Sequence, residues 1–485
     1  MRIFRDAKYV SSSVFVGVVL ASIRSILVLR LLGPVLTGAW KTALLVDTLG
    51  EFARAGVLRG MSIRVPMLAG QGNNEEADRN AAVAGGFLFW LGVAVGAVIL
   101  AASFLVHDAN VRLSLRFLAI IVGVTQPYYF LRELAAARHE SMIRSKEMLL
   151  RSVVDLVAAA ALCRLLGLAG LGIATSLALI ITALFLLRSQ TVPFKLRISR
   201  KEIAELMRVG VPFSLTEAGY ELLRRVDVFV IALFLGPTAV GFYGISILVM
   251  DFAVVLGQKG VSQVLSPHLM KEFGRTGSFS EVAIFYELPA RLFCYLLPPL
   301  LGAGPFLIGA FTRTLLPQYT AGIGAAEVTL WTLFFVALHF SINSFFVASN
   351  MLPRITRLLS GAIVIAALAQ AAVLLLGFGI EGAAWCTLAT AAVWATVELF
   401  VARASCGHAL AGTLRFITSL YIPFAACLAL RALVQAIPLG SWLPSMEGSI
   451  AEPAMRMTLF LLCYAPVFMT YETKFSMLRL VRQAS

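Results

Sequence analysis

Residues 216–230, TEAGYELLRRVDVFV, set Glu217, Glu221, Arg224, Arg225 and Asp227 among apolar neighbours. At about 100° per residue, Glu217, Glu221 and Arg224 fall on one helical stripe. Residues 47–54 repeat the spacing with Asp47, Glu51 and Arg54: acid, three residues, acid, two residues, arginine. Two kinds of chemistry suit such a set. Guanidinium forks grip a phosphate through paired hydrogen bonds and stay charged at any physiological pH. Carboxylates either neutralise those arginines or bind a coupling cation or proton, and the sequence leaves that choice open. Nothing points to catalysis, a cofactor or a metal. Cys163, Cys294, Cys386, Cys406, Cys427 and Cys463 are scattered with no C-x-x-C pair, and no phosphate-binding G-x-x-x-x-G-K-[ST] occurs to make ATP the direct energy source.

The elements that hold these charges follow from composition. Of 485 residues, 59% are hydrophobic and only 14% charged, with a mean hydropathy of +0.88, a balance foreign to soluble domains. Apolar windows long enough to cross a bilayer recur throughout, and predict an all-α polytopic membrane protein of about 14 spans. They centre near 20, 49, 93, 125, 157, 179, 222, 250, 297, 335, 365, 391, 426 and 463, the second and seventh being weakly hydrophobic. The opening apolar segment is too long for a leader and lacks a small-residue cleavage site, so it reads as the first span, retained.

A net charge of +14 would suit nucleic acid in a soluble protein, but here its distribution excludes that partner. Basic residues cluster in alternate loops: Arg2, Arg5 and Lys8; Arg132, Arg138, Arg144 and Lys146; Lys195, Arg197, Arg200, Lys201 and Arg208; Lys474, Arg479 and Arg482. The positive-inside rule puts these loops and both termini in the cytoplasm. The basic segment 195–210 reads as an amphipathic helix touching anionic membrane lipids.

A charge at the centre of a lipid-facing span costs about 2.5 to 3.5 kcal/mol, so five unpaired charges cost roughly 12 to 17 kcal/mol. That exceeds a typical total stability. The charges must be paired as a salt-bridge ladder, Glu221 with Arg224 and Glu51 with Arg54, or wetted by an aqueous cavity. Intramembrane ionisable groups usually mark a pathway, which favours the cavity. Glu287, Arg291, Glu327 and His339 fit interhelical pairing better than cavity lining.

The chain also repeats itself. Residues 32–40, LGPVLTGAW, match 235–243, LGPTAVGFY, at an offset of 203; Gly167 and Gly172 match Gly377 and Gly382 at 210. Two parallel six-helix lobes are expected, residues 1–194 and 195–403, followed by an added pair of spans and a cytoplasmic tail in 404–485. Transporters built this way usually bind substrate between their repeats. The first offset sets Arg24 opposite Asp227 across the pseudo-axis. Arg24 and Arg224, with Arg54 and Arg225, are the expected anion-binding residues. Asp47, Glu51, Glu217, Glu221 and Asp227 are the expected cavity-lining or ion-coupling groups.

RLLGPVLTGAWKTALLVDTLGEF, its echo ALFLGPTAVGFYGISILVMDF, and LLPQYTAGIGAAEVTLWTLFF resemble the polysaccharide transporter family, Wzx-type flippases within the multidrug, oligosaccharidyl-lipid and polysaccharide exporter superfamily. The resemblance implies a bacterial inner-membrane flippase that carries an undecaprenyl-pyrophosphate-linked oligosaccharide repeat unit to the outer leaflet by alternating access, for O-antigen or exopolysaccharide assembly. It also implies H+ or Na+ as candidate coupling ions and a polysaccharide polymerase as a candidate partner. The first-span signature of the superfamily's lipid II flippases is absent. Outward movement of an anion gains about 2.3 kcal/mol per charge per 100 mV from an inside-negative potential, so ion coupling is compatible but not required. An ion-coupled multidrug or cation antiporter would share the fold, but its cavity should be acidic and aromatic rather than rich in arginine. An enzyme is disfavoured, because the longest outer loop, about 437–453, offers only Glu447 and Glu452.

Overall fold

The computed structural model describes residues 2–54, 56–138, 140–189, 196–257, 269, 272–349, 351–438 and 451–475. The side chains of Arg2, Arg5, Lys8, Glu51 and Lys474, together with Lys195, Glu447, Arg479 and Arg482, lie outside the described residues. The elements are α1 (Arg2–Ala53), α2 (Val57–Gly70), α3 (Asn74–Ser103), α4 (Ala109–Ala137), α5 (Ser141–Ser189), α6 (Arg200–Phe234), α7 (Pro237–Phe242) and α8 (Gly244–Gly257). Then follow α9 (Ile284–Leu315), a 3-10 turn (Pro317–Gly322), α10 (Ile323–Ala348), α11 (Leu352–Leu375), α12 (Gly379–Ser405), α13 (Leu410–Ala436) and α14 (Ala451–Phe475). The protein is an all-helical polytopic membrane protein, with 10 helices among the described residues long and apolar enough to span a bilayer.

Two of those helices are double spans. α1 has 52 residues, about 78 Å of straight helix against about 30 Å of hydrocarbon. It breaks at Gly33, where φ is 70° and ψ 175°, a conformation only glycine adopts cheaply. Leu29 and Lys41 both pack against Gly244, which a straight helix would forbid at that separation. α5 breaks likewise at Gly167, and there a Cβ on Gly170 would lie 2.0 Å from the Leu162 carbonyl, so the chain doubles back.

The chain divides into two compact units, residues 1–244 with 352–367, and residues 245–351 with 368–485. The first unit packs α1 to α5 around an apolar core that includes Val57, Met61, Leu88, Leu118 and Leu171. It also takes in α6 and α7, which the sequence repeat groups with the second half, because folded contact and sequence ancestry are separate properties.

The repeated turns have matching backbones and meet each other. Gly236 has φ 82° and ψ 177°, the conformation of Gly33. A Cβ on Gly38 would stand 1.9 Å from the Pro237 carbonyl oxygen, and one on Gly241 would stand 1.8 Å from that of Pro34. These are the same contact seen from both sides of a local two-fold, since Gly38 and Pro34 correspond to Gly241 and Pro237 at the offset of 203. At the other end of the same helices, Gly210 seats on the Gly56 carbonyl and Gly60 on that of Leu206. α6 is thereby fixed against α1 and α2 near both of its ends.

In the second unit, α9 packs on α10, α13 and α14, and α10 packs on α12. Several charges in its spans pair across helices. Glu287 of α9 pairs with Arg403 of α12 and lies 4.0 Å from Arg291. His339 Nδ1 is 2.9 Å from Glu398, and Glu327 accepts from Arg431 at 2.7 Å.

Candidate functional site

Depth along each span follows from helical rise. Arg24 lies about 14 Å, and Arg224 about 18 Å, from the glycine turn above it at 1.5 Å per residue, so both sit near mid-bilayer. Arg24 Nη2 donates to Asp155 Oδ1 at 3.3 Å and to Thr175 Oγ1 at 3.1 Å, both on α5. Arg224 grips Glu221 with Nη2 bonds of 2.7 and 2.8 Å and an Nε bond of 3.1 Å, and Arg225 Nε donates to the same carboxylate at 2.5 Å. One carboxylate thus serves both guanidiniums.

These groups are paired without being sealed. Side-chain exposure is 20% for Arg24, 16% for Arg224, 25% for Arg225 and 31% for Glu221. At mid-bilayer depth, exposure to lipid would cost each charge several kcal/mol.

The second-span charges lie closer to the inner end. Arg54, about 31 Å from its glycine turn by helical rise, is buried. Its Nε donates to Gln126 Oε1 at 2.9 Å, and its guanidinium lies 4.5 Å from the Tyr129 ring centroid. Cation–π stacking suits Arg here because its planar, weakly hydrated head tolerates desolvation. Asp47 Oδ1 is buried with no hydrogen-bond donor. The cations acting on it are Arg54 and Arg225, so the second-span and seventh-span charges belong to one electrostatic cluster within the first unit. The Glu51 side chain lies outside the described residues.

Two expected lining residues have other surroundings. Glu217 pairs with Arg59 near the inner boundary, and both are largely exposed. Exposed pairs contribute little; Glu217→Gln should leave the thermal unfolding midpoint unchanged. Asp227 is buried, accepting from Tyr243 Oη at 2.6 Å and from the Val228 amide at 2.7 Å, which ties α6 to the end of α7. Tyr243→Phe should destabilise the protein by about 1–3 kcal/mol by stripping a donor from a buried carboxylate. Thermal unfolding in detergent would show it, and unchanged stability would contradict the assignment.

Sequence reasoning missed Asp155, Thr175, Gln126 and Tyr129. Asp155 carried a readable signal, a lone carboxylate inside the apolar stretch SVVDLVAAAALC. The other three are ordinary polar or aromatic residues of a span and carried none. No metal-binding cluster occurs among the described residues.

A sequence model of the family described as "Polysaccharide biosynthesis protein" matches residues 3–246, half of the chain. No curated protein matches by sequence. Among solved structures, the chain is similar to an inward-facing multidrug resistance transporter of the MATE family, MOP superfamily, at a TM-score of 0.67 and 16% identity. That match covers 80% of this chain and 94% of the other. It is also similar to the lipid II flippase MurJ in an inward closed conformation, at a TM-score of 0.65 and 14% identity, covering 95% and 98%. An outward-facing MATE transporter gives 0.58 at 19% identity over 81% and 95%. At these identities the likeness is one of fold.

Proposed function

Because the chain belongs to the polysaccharide biosynthesis protein family, we propose that it is a flippase that carries an undecaprenyl-pyrophosphate-linked oligosaccharide from the inner to the outer leaflet of the bacterial inner membrane. The observation that carries this reading is the partly exposed, mid-depth arginine set Arg24, Arg224 and Arg225. Arg224 and Arg225 converge on one carboxylate, Glu221, which gathers two guanidinium forks in one place. A pyrophosphate matches the fork geometry of the guanidiniums. Arg54, buried under Tyr129, acts on Asp47 in the same cluster rather than touching the headgroup.

The fold is equally that of multidrug transporters, and the alternative is an ion-coupled cation antiporter. Asp47, whose Oδ1 lacks a donor, is the residue such a reading would use. Both termini face the cytoplasm in this proposal, and the two repeats, 1–194 and 195–403, alternate access around the arginines.

Native mass spectrometry of the protein extracted with its lipids tests the reading. A polyprenyl-pyrophosphate saccharide adduct that is lost in Arg224→Ala/Arg225→Ala is expected. Tight retention of organic cations, with no pyrophosphate lipid bound, would overturn it.

A further inference from the structure

The second unit holds a polar cluster unlike the first. Arg431, only 8% exposed, has its guanidinium between two rings, 5.0 Å from the Trp331 centroid and 5.6 Å from that of Phe306. Its Nη2 donates to Glu327. Trp331, also 8% exposed, meets Trp385 with ring centroids 5.5 Å apart at 60°, and Trp385 is 49% exposed. Glu381, seated over Gly324, lies beside them and acts on the Glu327 charge. Two N–H groups here, Trp331 Nε1 and Arg431 Nε, are buried with no acceptor. At this depth unmet donors are costly, so each calls for a partner.

We propose that this cluster is a saccharide subsite, receiving a sugar ring of the lipid-linked glycan at the end of the second unit where α9 finishes and α10 and α12 begin. This inference rests on the flippase reading above. The chemistry selects a neutral polyol over the alternatives. A sugar presents an apolar C–H face to an exposed indole, and its hydroxyls both donate to carboxylates and accept from N–H groups. The Glu327–Arg431 pair is neutral as a unit, and the formal charges of Glu381 and Arg313, which also act on Glu327, cancel each other, so the cluster offers no net charge to a phosphate or an organic cation. Trp385 supplies the stacking face, Glu381 an acceptor at the mouth, and the two unmet N–H groups the inner donors. In the proposed orientation this end faces outward, along the route a glycan headgroup takes on release.

The test uses full-length protein in lipid nanodiscs and two probes: bare undecaprenyl pyrophosphate, and the undecaprenyl-pyrophosphate-linked saccharide purified from membranes of cells making the polymer. Trp385→Ala is expected to weaken binding of the saccharide-bearing probe by about tenfold and leave the bare lipid unchanged, with Trp385→Phe restoring most of the loss. Trp331→Phe, which keeps the ring and removes the N–H, should give a smaller loss of the same selectivity. Equal effects on both probes, or none on either, would overturn the subsite and leave Trp385 an interfacial anchor. If the wild-type chain binds neither probe, the flippase reading fails along with it. If it binds both equally, only the subsite fails.

Discussion

Arg24→Ala, present at the wild-type level, should lower polymer export by about 30- to 100-fold, the loss that follows from removing a charge-assisted, two-pronged phosphate contact worth about 2–3 kcal/mol. Export would be read by complementation of a strain lacking its own transporter, with protein quantified by blotting. The variant has one ambiguity, which a second variant removes. Arg24 also neutralises Asp155 at 3.3 Å, so its loss strands a half-buried carboxylate and can destabilise the fold. In Arg24→Ala/Asp155→Ala no charge is stranded. The double variant should recover thermal stability and remain export-dead. Recovery of both would mean that Arg24 serves only as a structural cation. Arg24→Lys should retain a minor part of export, because a point charge attracts phosphate without matching its geometry.

A single methyl group at either turn should disable the protein as thoroughly. Gly38→Ala puts a Cβ 1.9 Å from the Pro237 carbonyl, and Gly241→Ala puts one 1.8 Å from that of Pro34. Real Cβ atoms essentially never come within 3.0 Å of such an atom, and the obstacle is backbone, so the turns must part by more than an ångström. Overpacking of this kind costs about 1–3 kcal/mol, and the displacement passes into the helices that carry Arg24 and Arg224. A fall of at least tenfold in export with a lower unfolding midpoint is expected for each. Because both variants break one shared contact, the double variant should cost less than the sum of the two. Gly70→Ala is the control, since nothing lies within 4 Å of its Cβ position. Unaltered export in Gly38→Ala would show that the turns can separate without consequence.

The architecture was readable because its determinants are local. Span length and the Leu-Gly-Pro repeat both follow from short stretches, and the glycines that the repeats single out, Gly33, Gly167, Gly236 and Gly377, all have positive φ. What the sequence withheld is tertiary approach. Glycine and proline four residues apart in both turns are visible as letters, but their mutual seating depends on how two distant segments dock.

The charged residues divide the same way. Glu221 bonding Arg224 is an i, i+3 relation within one helix and was legible. Glu217 pairing with Arg59, and Arg24 with Asp155, span 158 and 131 residues of chain and were not. Helical phase alone placed Glu217 on the stripe, while its distance from the glycine turn assigns it to the inner boundary. Arg431 and Glu398 lay in plain view inside apolar spans, and the same cost argument that drew attention to Arg224 applies to them. Their partners are Glu327 and His339.

The most direct measurement is transbilayer movement in proteoliposomes of defined lipid, loaded with an undecaprenyl-pyrophosphate-linked saccharide labelled on its glycan and scored by accessibility to an added glycosidase. Wild-type protein should expose label from the inner leaflet at a rate that Arg24→Ala and Arg224→Ala/Arg225→Ala reduce to that of empty vesicles, while Glu217→Gln leaves it intact. Movement by the arginine variants at the wild-type rate would contradict the claim that these partly exposed guanidiniums receive the headgroup.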